Sequence, residues 1–469
     1  MTFTTLPFVL FFVVVYGLLI LIRNDTVRRW ILLGASFFFY GYWNAWYLLL
    51  MAAVILGSWV LGLFIASTAD PHRRRLGVAI GTAFSLTVLA VFKYAGFFSQ
   101  NTVWLTGGTI PKFIENIVLP VGISFYTFHS ISYYVDVYRN QVPVARSLRD
   151  YATYIAFFPQ LVAGPIVRAS QFLPQLARPV QITLPCFAAG SRLFLAGAVQ
   201  KLLIADQVSP FVDKIFAHPE LYSGATEWLA VLAYAMQIFG DFSGYTLMAI
   251  GISLILGYQL PDNFRMPYVA ISLVDFWRRW HITLSFFLRD YLYIPLGGNR
   301  HGFLKSQRNT MITMLLGGLW HGASWNFVLW GGLHGSAIVA NHLWEHAMPD
   351  KFRNSTFWRY AAPPIGWMVT LLFVLMAWIP FRAVHLRDTT EIAVRIWTLA
   401  DGVRWFHTPT LYTLAGVVLW HVMHLAGARY CLAKHISERW LYTLEIMAMI
   451  TLLLLFAPAN TSPFIYFQF

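Results

Sequence analysis

Chemistry is most concentrated around two histidines. His321 sits in Gly317-Gly318-Leu319-Trp320-His321-Gly322-Ala323-Ser324-Trp325-Asn326, an otherwise apolar stretch bracketed by glycines. An ionisable side chain at membrane depth is costly and marks function by default. A neutral imidazole, with an ordinary pKa of about 6.5, is suited to taking a proton from a hydroxyl. The neighbouring glycines leave room for a substrate or another backbone to come close. The plainer alternative is a histidine hydrogen-bonded to an adjacent helix.

His281 lies in the densest polar region, Asp275-Phe276-Trp277-Arg278-Arg279-Trp280-His281, followed by Arg289-Asp290-Tyr291 and by Gly297-Gly298-Asn299-Arg300, which reads as a turn. On one continuous helix Trp277, His281 and Ser285 would share a face, and Asp275 could pair with Arg278 three residues on. The alternative is an interfacial amphipathic helix with snorkelling arginines. A third pattern, His342-Leu343-Trp344-Glu345-His346, matches the H-x-x-E-H spacing of a metalloprotease. Five residues match easily by chance among 14 histidines, so a polar span end is the better reading and no metal is expected.

The elements that carry these residues belong to a membrane protein. Hydrophobic residues make up 58% of the 469 and charged residues 11%, against about 25% in soluble domains. Mean hydropathy is +0.59. Aromatic residues, at 17%, suit belts at two membrane interfaces. The net charge of +13 comes from short basic clusters between apolar spans, so positive-inside topology explains it better than nucleic-acid binding. Cys186 and Cys431 form neither a CxxC nor a disulfide framework.

A crossing needs roughly 20 apolar residues. Residues 6–22 qualify, and no Lys or Arg precedes Arg23, so this is not a secretory signal. Residues 30–50 and 51–66 read as a hairpin, 76–92 as the return, 100–116 as an outer loop and 117–135 as the next crossing. Positives at Arg23, Arg28, Arg29, Arg73–Arg75, Arg139, Arg146 and Arg149 then mark the cytoplasm and put the N-terminus outside. Residues 151–167, broken by Pro159 and Gly164-Pro165, read as re-entrant. Residues 182–205 read as interfacial, and 228–260 as two spans broken at Gly240-Asp241-Phe242-Ser243-Gly244. Later spans are expected at 311–339, 365–379, 411–425 and 441–456. About ten to twelve crossings are expected, with no fixed-period repeat.

Trp280-His281 together with Trp320-His321-Gly322 resembles the membrane-bound O-acyltransferases, in the bacterial branch that acetylates polysaccharides such as alginate and cellulose. The likeness extends over nearly the whole chain. It includes Lys93-Tyr94, Leu119 to Phe125, Tyr134 to Arg139, Phe158-Pro159-Gln160 with Gly164-Pro165, Asp241-Phe242-Ser243-Gly244-Tyr245 and the tail Phe464 to Phe469. His129 stands where an amide side chain is expected, and the chain is shorter than typical alginate members.

The resemblance implies an all-α polytopic protein. Transmembrane, re-entrant and interfacial helices form one domain over 1–469, densest in motifs over 93–345, around a central funnel. It implies that His321 is the invariant histidine and His281 the second polar position. His321 would act as general base and His281 would orient or stabilise the thioester carbonyl. Trp280, Trp320, Asp241, Ser243, Arg278 and Asn326 become candidates for lining the channel or holding the donor. The donor would be a cytosolic thioester, acetyl-CoA or an acyl carrier protein, with no bound cofactor. Expected partners are a periplasmic acetyltransferase, polysaccharide synthesis and export proteins, and membrane lipid. The expected location is the bacterial inner membrane. D-alanyl transfer to teichoic acid is an alternative within the same chemistry. A transporter shares broken helices and midplane polar groups, but no paired halves are visible and acidic residues are scarce in the spans.

Overall fold

The computed structural model describes residues 1–115, 117–162, 164–427, 437–459 and 461–465, so Cys431 and the tail residues 466–469 lie outside the described residues. All regular structure among the described residues is helical. Contacts divide the chain into two compact units, Met1–Phe194 with Tyr245–Pro261, and Leu195–Gly244 with Asp262–Phe469.

In the first unit, α1 (Leu6–Leu21), α2 (Asp25–Gly41), α3 (Ala45–Ser67) and α4 (Pro71–Leu89) follow one another closely. The first hairpin turns at residues 42–44, earlier than hydropathy alone places it. Asn44 sets the point, because its side chain accepts the Trp46 amide and caps α3. A π turn, Ala90–Tyr94, leads into α5 (Ala95–Thr106), so helix continues into the region expected to be an outer loop. Then come α6 (Lys112–Glu115), α7 (Ile123–Tyr138), α8 (Leu148–Ala156), α9 (Phe158–Leu161) and α10 (Ala169–Leu176). α8 and α9 are the broken segment expected around Pro159, and both are buried. Tyr133, Tyr134, Tyr151 and Tyr154 are buried against α7 and α8, and Tyr151 donates to Ser58 Oγ at 2.8 Å. His129 is buried beside Tyr154, with ring centroids 5.4 Å apart.

Two long helical runs belong in part to each unit. The first joins α11 (Leu184–Val199), a π turn (Gln200–Ala205) and α12 (Asp206–Ala217). At 34 residues it is long and apolar enough to cross a membrane, and it extends well past the interfacial segment expected over 182–205. The second, α13 (Gly224–Ile255), is one unbroken 32-residue helix. The expected break at Gly240–Gly244 does not occur. These glycines serve close packing instead: a Cβ on Gly240 would lie 2.8 Å from the Gln200 carbonyl, and one on Gly244 2.7 Å from the Gly197 carbonyl. Glycine at helix crossings lets backbones approach in this way.

The remainder of the second unit comprises α14 (Leu273–Arg279), α15 (Ile282–Leu288), α16 (Phe303–His321), α17 (Trp325–Ala347), α18 (Asp350–Arg353), α19 (Thr356–Arg382), α20 (Leu386–Thr398), α21 (Thr408–Leu425) and α22 (Glu438–Phe456). The single span expected over 311–339 is a hairpin of α16 and α17, reversing just after His321. Six helical runs among the described residues meet the length and hydropathy needed for crossing, and α1 is a shorter apolar helix. The protein is an all-helical, polytopic membrane protein.

Candidate active site

His281 and His321 come together. Both are buried, and their ring centroids lie 6.4 Å apart. His321 ends α16, where the α16–α17 reversal presents it to the rings of Trp330 and Phe381 at 5.0 and 5.2 Å. Gly318 and Gly331 let the hairpin close. A Cβ on Gly318 would strike the Phe327 carbonyl, and one on Gly331 the Met314 carbonyl.

His281 does not lie on a continuous helix, so Trp277, His281 and Ser285 do not form the expected single face. The chain leaves α14 at Trp280, passes through His281 with φ at 42°, and begins α15 at Ile282. Such left-handed backbone is uncommon outside glycine, although histidine is among the residues enriched there. His281 offers no capping side chain to α15. Asn263 does that work from a distant segment. Its carbonyl accepts the Ile282 amide at 3.0 Å, and its Oδ1 accepts the Thr283 amide at 3.1 Å and the Thr283 hydroxyl at 2.9 Å. The same Oδ1 faces His281 Nδ1 at 3.1 Å. Arg265 donates its amide to the Arg279 carbonyl at 2.9 Å, so the 263–265 segment grips the turn from both ends. Phe242 meets the His281 ring edge-on at 4.7 Å.

The aromatic candidates shape this surround. Trp280 is buried, nearly parallel to Phe276 at 5.7 Å and 5.0 Å from both Phe264 and Trp378. Trp320 lies 6.2 Å from His281, centroid to centroid. Two of the polar candidates make structural contacts. Asn326 donates to the Ala383 carbonyl at 2.8 Å and accepts from the Thr389 hydroxyl at 3.1 Å, which ties α17 to the end of α19 and to α20. Asp241 lies 2.6 Å from Lys201 Nζ and accepts the Ile465 amide at 2.7 Å. Ser243 is buried on α13 two residues further on. Asp275 pairs with Arg279 at 2.8 Å rather than with Arg278, whose side chain is exposed. At four residues' spacing the Arg279 side chain returns over the first turn of α14, whereas Arg278 projects outward.

Burial pushes the His281 pKa down to about 3, so the ring is neutral at physiological pH. His281 Nε2 has no hydrogen-bond partner among the described residues. The residues of the H-x-x-E-H pattern are engaged separately: His342 with Gln307 at 3.0 Å, Glu345 with Asn341 at 2.7 Å, and His346 stacked on Phe303. Among the described residues no group of three His, Cys, Asp or Glu side chains is placed to hold a metal.

Sequence reasoning missed two residues. His334 is buried on α17, and its Nδ1 accepts from the Trp277 indole at 3.3 Å. The rule that picked out His321, an ionisable side chain in an apolar stretch, also applies to it. Asn263 gave no comparable signal, because its importance rests on a contact 18 residues along the chain.

A helical membrane protein with two buried imidazoles side by side is equipped for proton transfer at a hydroxyl. The sequence comparisons define the class. Residues 76–384 match the membrane-bound O-acyltransferase family. The probable alginate O-acetylase AlgI of Azotobacter vinelandii is 36% identical over 511 aligned positions, covering 100% of both chains. Its namesake in Pseudomonas aeruginosa is 40% identical over 391, covering 82% of this chain and 73% of its own. The peptidoglycan O-acetyltransferase of Helicobacter pylori is 36% identical over 394, covering 78% and 72%. The chain belongs to the membrane-bound O-acyltransferase family, and it is an O-acyltransferase.

Proposed function

We propose that this protein moves an acetyl group from a cytosolic thioester, acetyl-CoA or an acyl carrier protein, toward hydroxyls of an exported polysaccharide. Alginate or cellulose is the acceptor, reached through a separate periplasmic acetyltransferase working with the synthesis and export proteins. The chain sits in the bacterial inner membrane, surrounded by lipid, with its N-terminus periplasmic. The observation that carries this reading is the His281–His321 pair, buried with centroids 6.4 Å apart inside a shell of aromatic rings. Relatives named for acetylating alginate and peptidoglycan support a polysaccharide as acceptor. His321 and His281 share the work of accepting the hydroxyl proton and attending the thioester carbonyl. Transfer in a site lined by apolar rings keeps water from hydrolysing the thioester.

The test is polymer acetyl content in cells expressing wild type or His321→Ala at matched membrane levels. Loss of acetate with polymer still made supports acyl transfer centred on His321. Unchanged acetylation overturns that assignment, and loss of the polymer itself points to export.

A further inference from the structure

The residues of the H-x-x-E-H pattern line a cleft of about 1410 Å³ between α17 and α19, within the second unit. Further along both helices the lining is apolar, with Leu273, Ala337 and Phe373. The mouth is polar, with Gln307, His342, Glu345, His346 and Arg353. This division follows from chain direction. The start of α16, the end of α17 and the start of α19 lie together. His342 meets Gln307 there, His346 stacks on Phe303, and the Trp344 and Trp358 rings lie 6.2 Å apart. The Arg353 guanidinium donates to the Glu345 carbonyl, which fixes α18 at the rim. One side of the cleft is open. Trp344, Ile365 and Val369 line it, yet they are 58%, 46% and 57% exposed. Since α19 is long and apolar enough to cross a membrane, those side chains face hydrocarbon.

Charge selects which amphipathic molecule fits. Residues 300–308 and 351–359, which flank the mouth, carry six Lys or Arg and no acidic side chain. Glu345, the acid at the mouth, is engaged by the Asn341 amide at 2.7 Å. A guanidinium has five N–H donors, so Arg353 keeps donors for an anion beyond its bond to the Glu345 carbonyl. Basic pockets between membrane helices take anionic headgroups in this way.

We propose that this cleft is a binding site for one anionic phospholipid, its phosphate at Arg353 and its hydrocarbon along Ala337, Val369 and Phe373. The lipid comes from the leaflet that the basic segments face, the cytoplasmic one in the orientation proposed above. The binding chemistry does not depend on that orientation. At the floor, the Phe373 ring meets His334 at 5.3 Å, His334 meets Trp330 at 4.6 Å, and Trp330 meets His321 at 5.0 Å. The lipid chain thereby braces the ring layer behind His321 without entering the site.

The experiment measures phosphatidylglycerol binding to the full-length protein in an uncharged detergent. It reads the rise in thermal midpoint and the lipid retained in native mass spectrometry. Phosphatidylglycerol is expected to raise the midpoint and stay bound, whereas zwitterionic phosphatidylcholine with the same chains does neither at equal concentration. Arg353→Gln should weaken binding about fivefold, the share of one basic residue near an anionic lipid surface. Ala340→Trp, at an exposed position of the cleft wall, should abolish binding by filling the space. Arg73→Gln, on a 73% exposed side chain of α4, should leave binding unchanged. Should Ala340→Trp fail to accumulate, the contrast between Arg353→Gln and Arg73→Gln decides. Equal binding of the two lipids overturns the proposal, as does undiminished binding in Ala340→Trp or equal loss in the two arginine variants. Displacement of the lipid by coenzyme A also overturns it and gives the cleft to the thioester donor.

Discussion

Lys201 Nζ lies 2.6 Å from Asp241 Oδ1, with neither side chain more than 3% exposed. Asp206 approaches the same ammonium at 2.7 Å, and the Ser462 carbonyl accepts from it at 2.9 Å. One cation thus joins the α11–α12 run, α13 and the segment after α22. Removing one partner of a buried pair costs about 3–5 kcal/mol, while replacing the whole group with neutral side chains costs far less. Lys201→Met is expected to lower the thermal midpoint in detergent sharply. The triple change Lys201→Met, Asp206→Asn, Asp241→Asn should recover much of the loss. A single variant as stable as wild type would remove the triad from the account.

Gly318 and Gly331 each face a backbone carbonyl across the α16–α17 hairpin. Neither carbonyl can turn aside as a side chain would. Gly318→Ala and Gly331→Ala are each expected to destabilise by about 1–3 kcal/mol, the usual range for overpacking. Acetyl transfer should fall with them as His321 is displaced. Thermal midpoints and acetyl content, measured on the same membranes, check both halves.

Asn326→Leu separates architecture from chemistry. It leaves the Ala383 carbonyl without its donor and the Thr389 hydroxyl without its acceptor. Buried groups stranded in this way cost about 1–3 kcal/mol each. The expected outcome is a lower midpoint with acetylation preserved per folded molecule. A stable but inactive variant would return Asn326 to the substrate path.

Acid should weaken the fold through His281. Its folded pKa, about 3, lies below the ordinary value, so the unfolded chain binds the proton first as pH falls. Its penalty is absent at neutral pH and grows from about pH 6.5 downward, by at most roughly 1.4 kcal/mol per pH unit. The gap in thermal midpoint between pH 7.5 and pH 5 should therefore be smaller in His281→Gln than in wild type. Equal gaps would mean that the ring titrates near its ordinary value.

Much of this was legible in the residues. Apolar runs gave the membrane class and the approximate place of α1, α19, α21 and α22, because hydropathy is a local property. His321 stood out by cost, as an ionisable group in an apolar stretch, and His281 by its place in the densest polar region. What failed was glycine. Gly240 and Gly244 read as a break, although two helices packed backbone to backbone require the same residues. Arg278 and Arg279 are equivalent in composition, and only the run of α14 decides which of them meets Asp275. Asn263 is the sharpest case. Nothing within its own segment distinguishes it, and its role exists only once the 263–265 strand of chain lies beside the His281 turn.

The glycine crossing at Gly318 and Gly331 has a further consequence. Neither residue has a rotamer to freeze, so the contact that aims His321 costs no side-chain conformational entropy when the hairpin closes, nor again when a substrate arrives. Association is commonly weakened by about 0.5–1.5 kcal/mol for each rotamer-rich side chain that must be ordered. A crossing made of main chain is exempt from that loss, and its stiffness is fixed during folding, before any substrate is met.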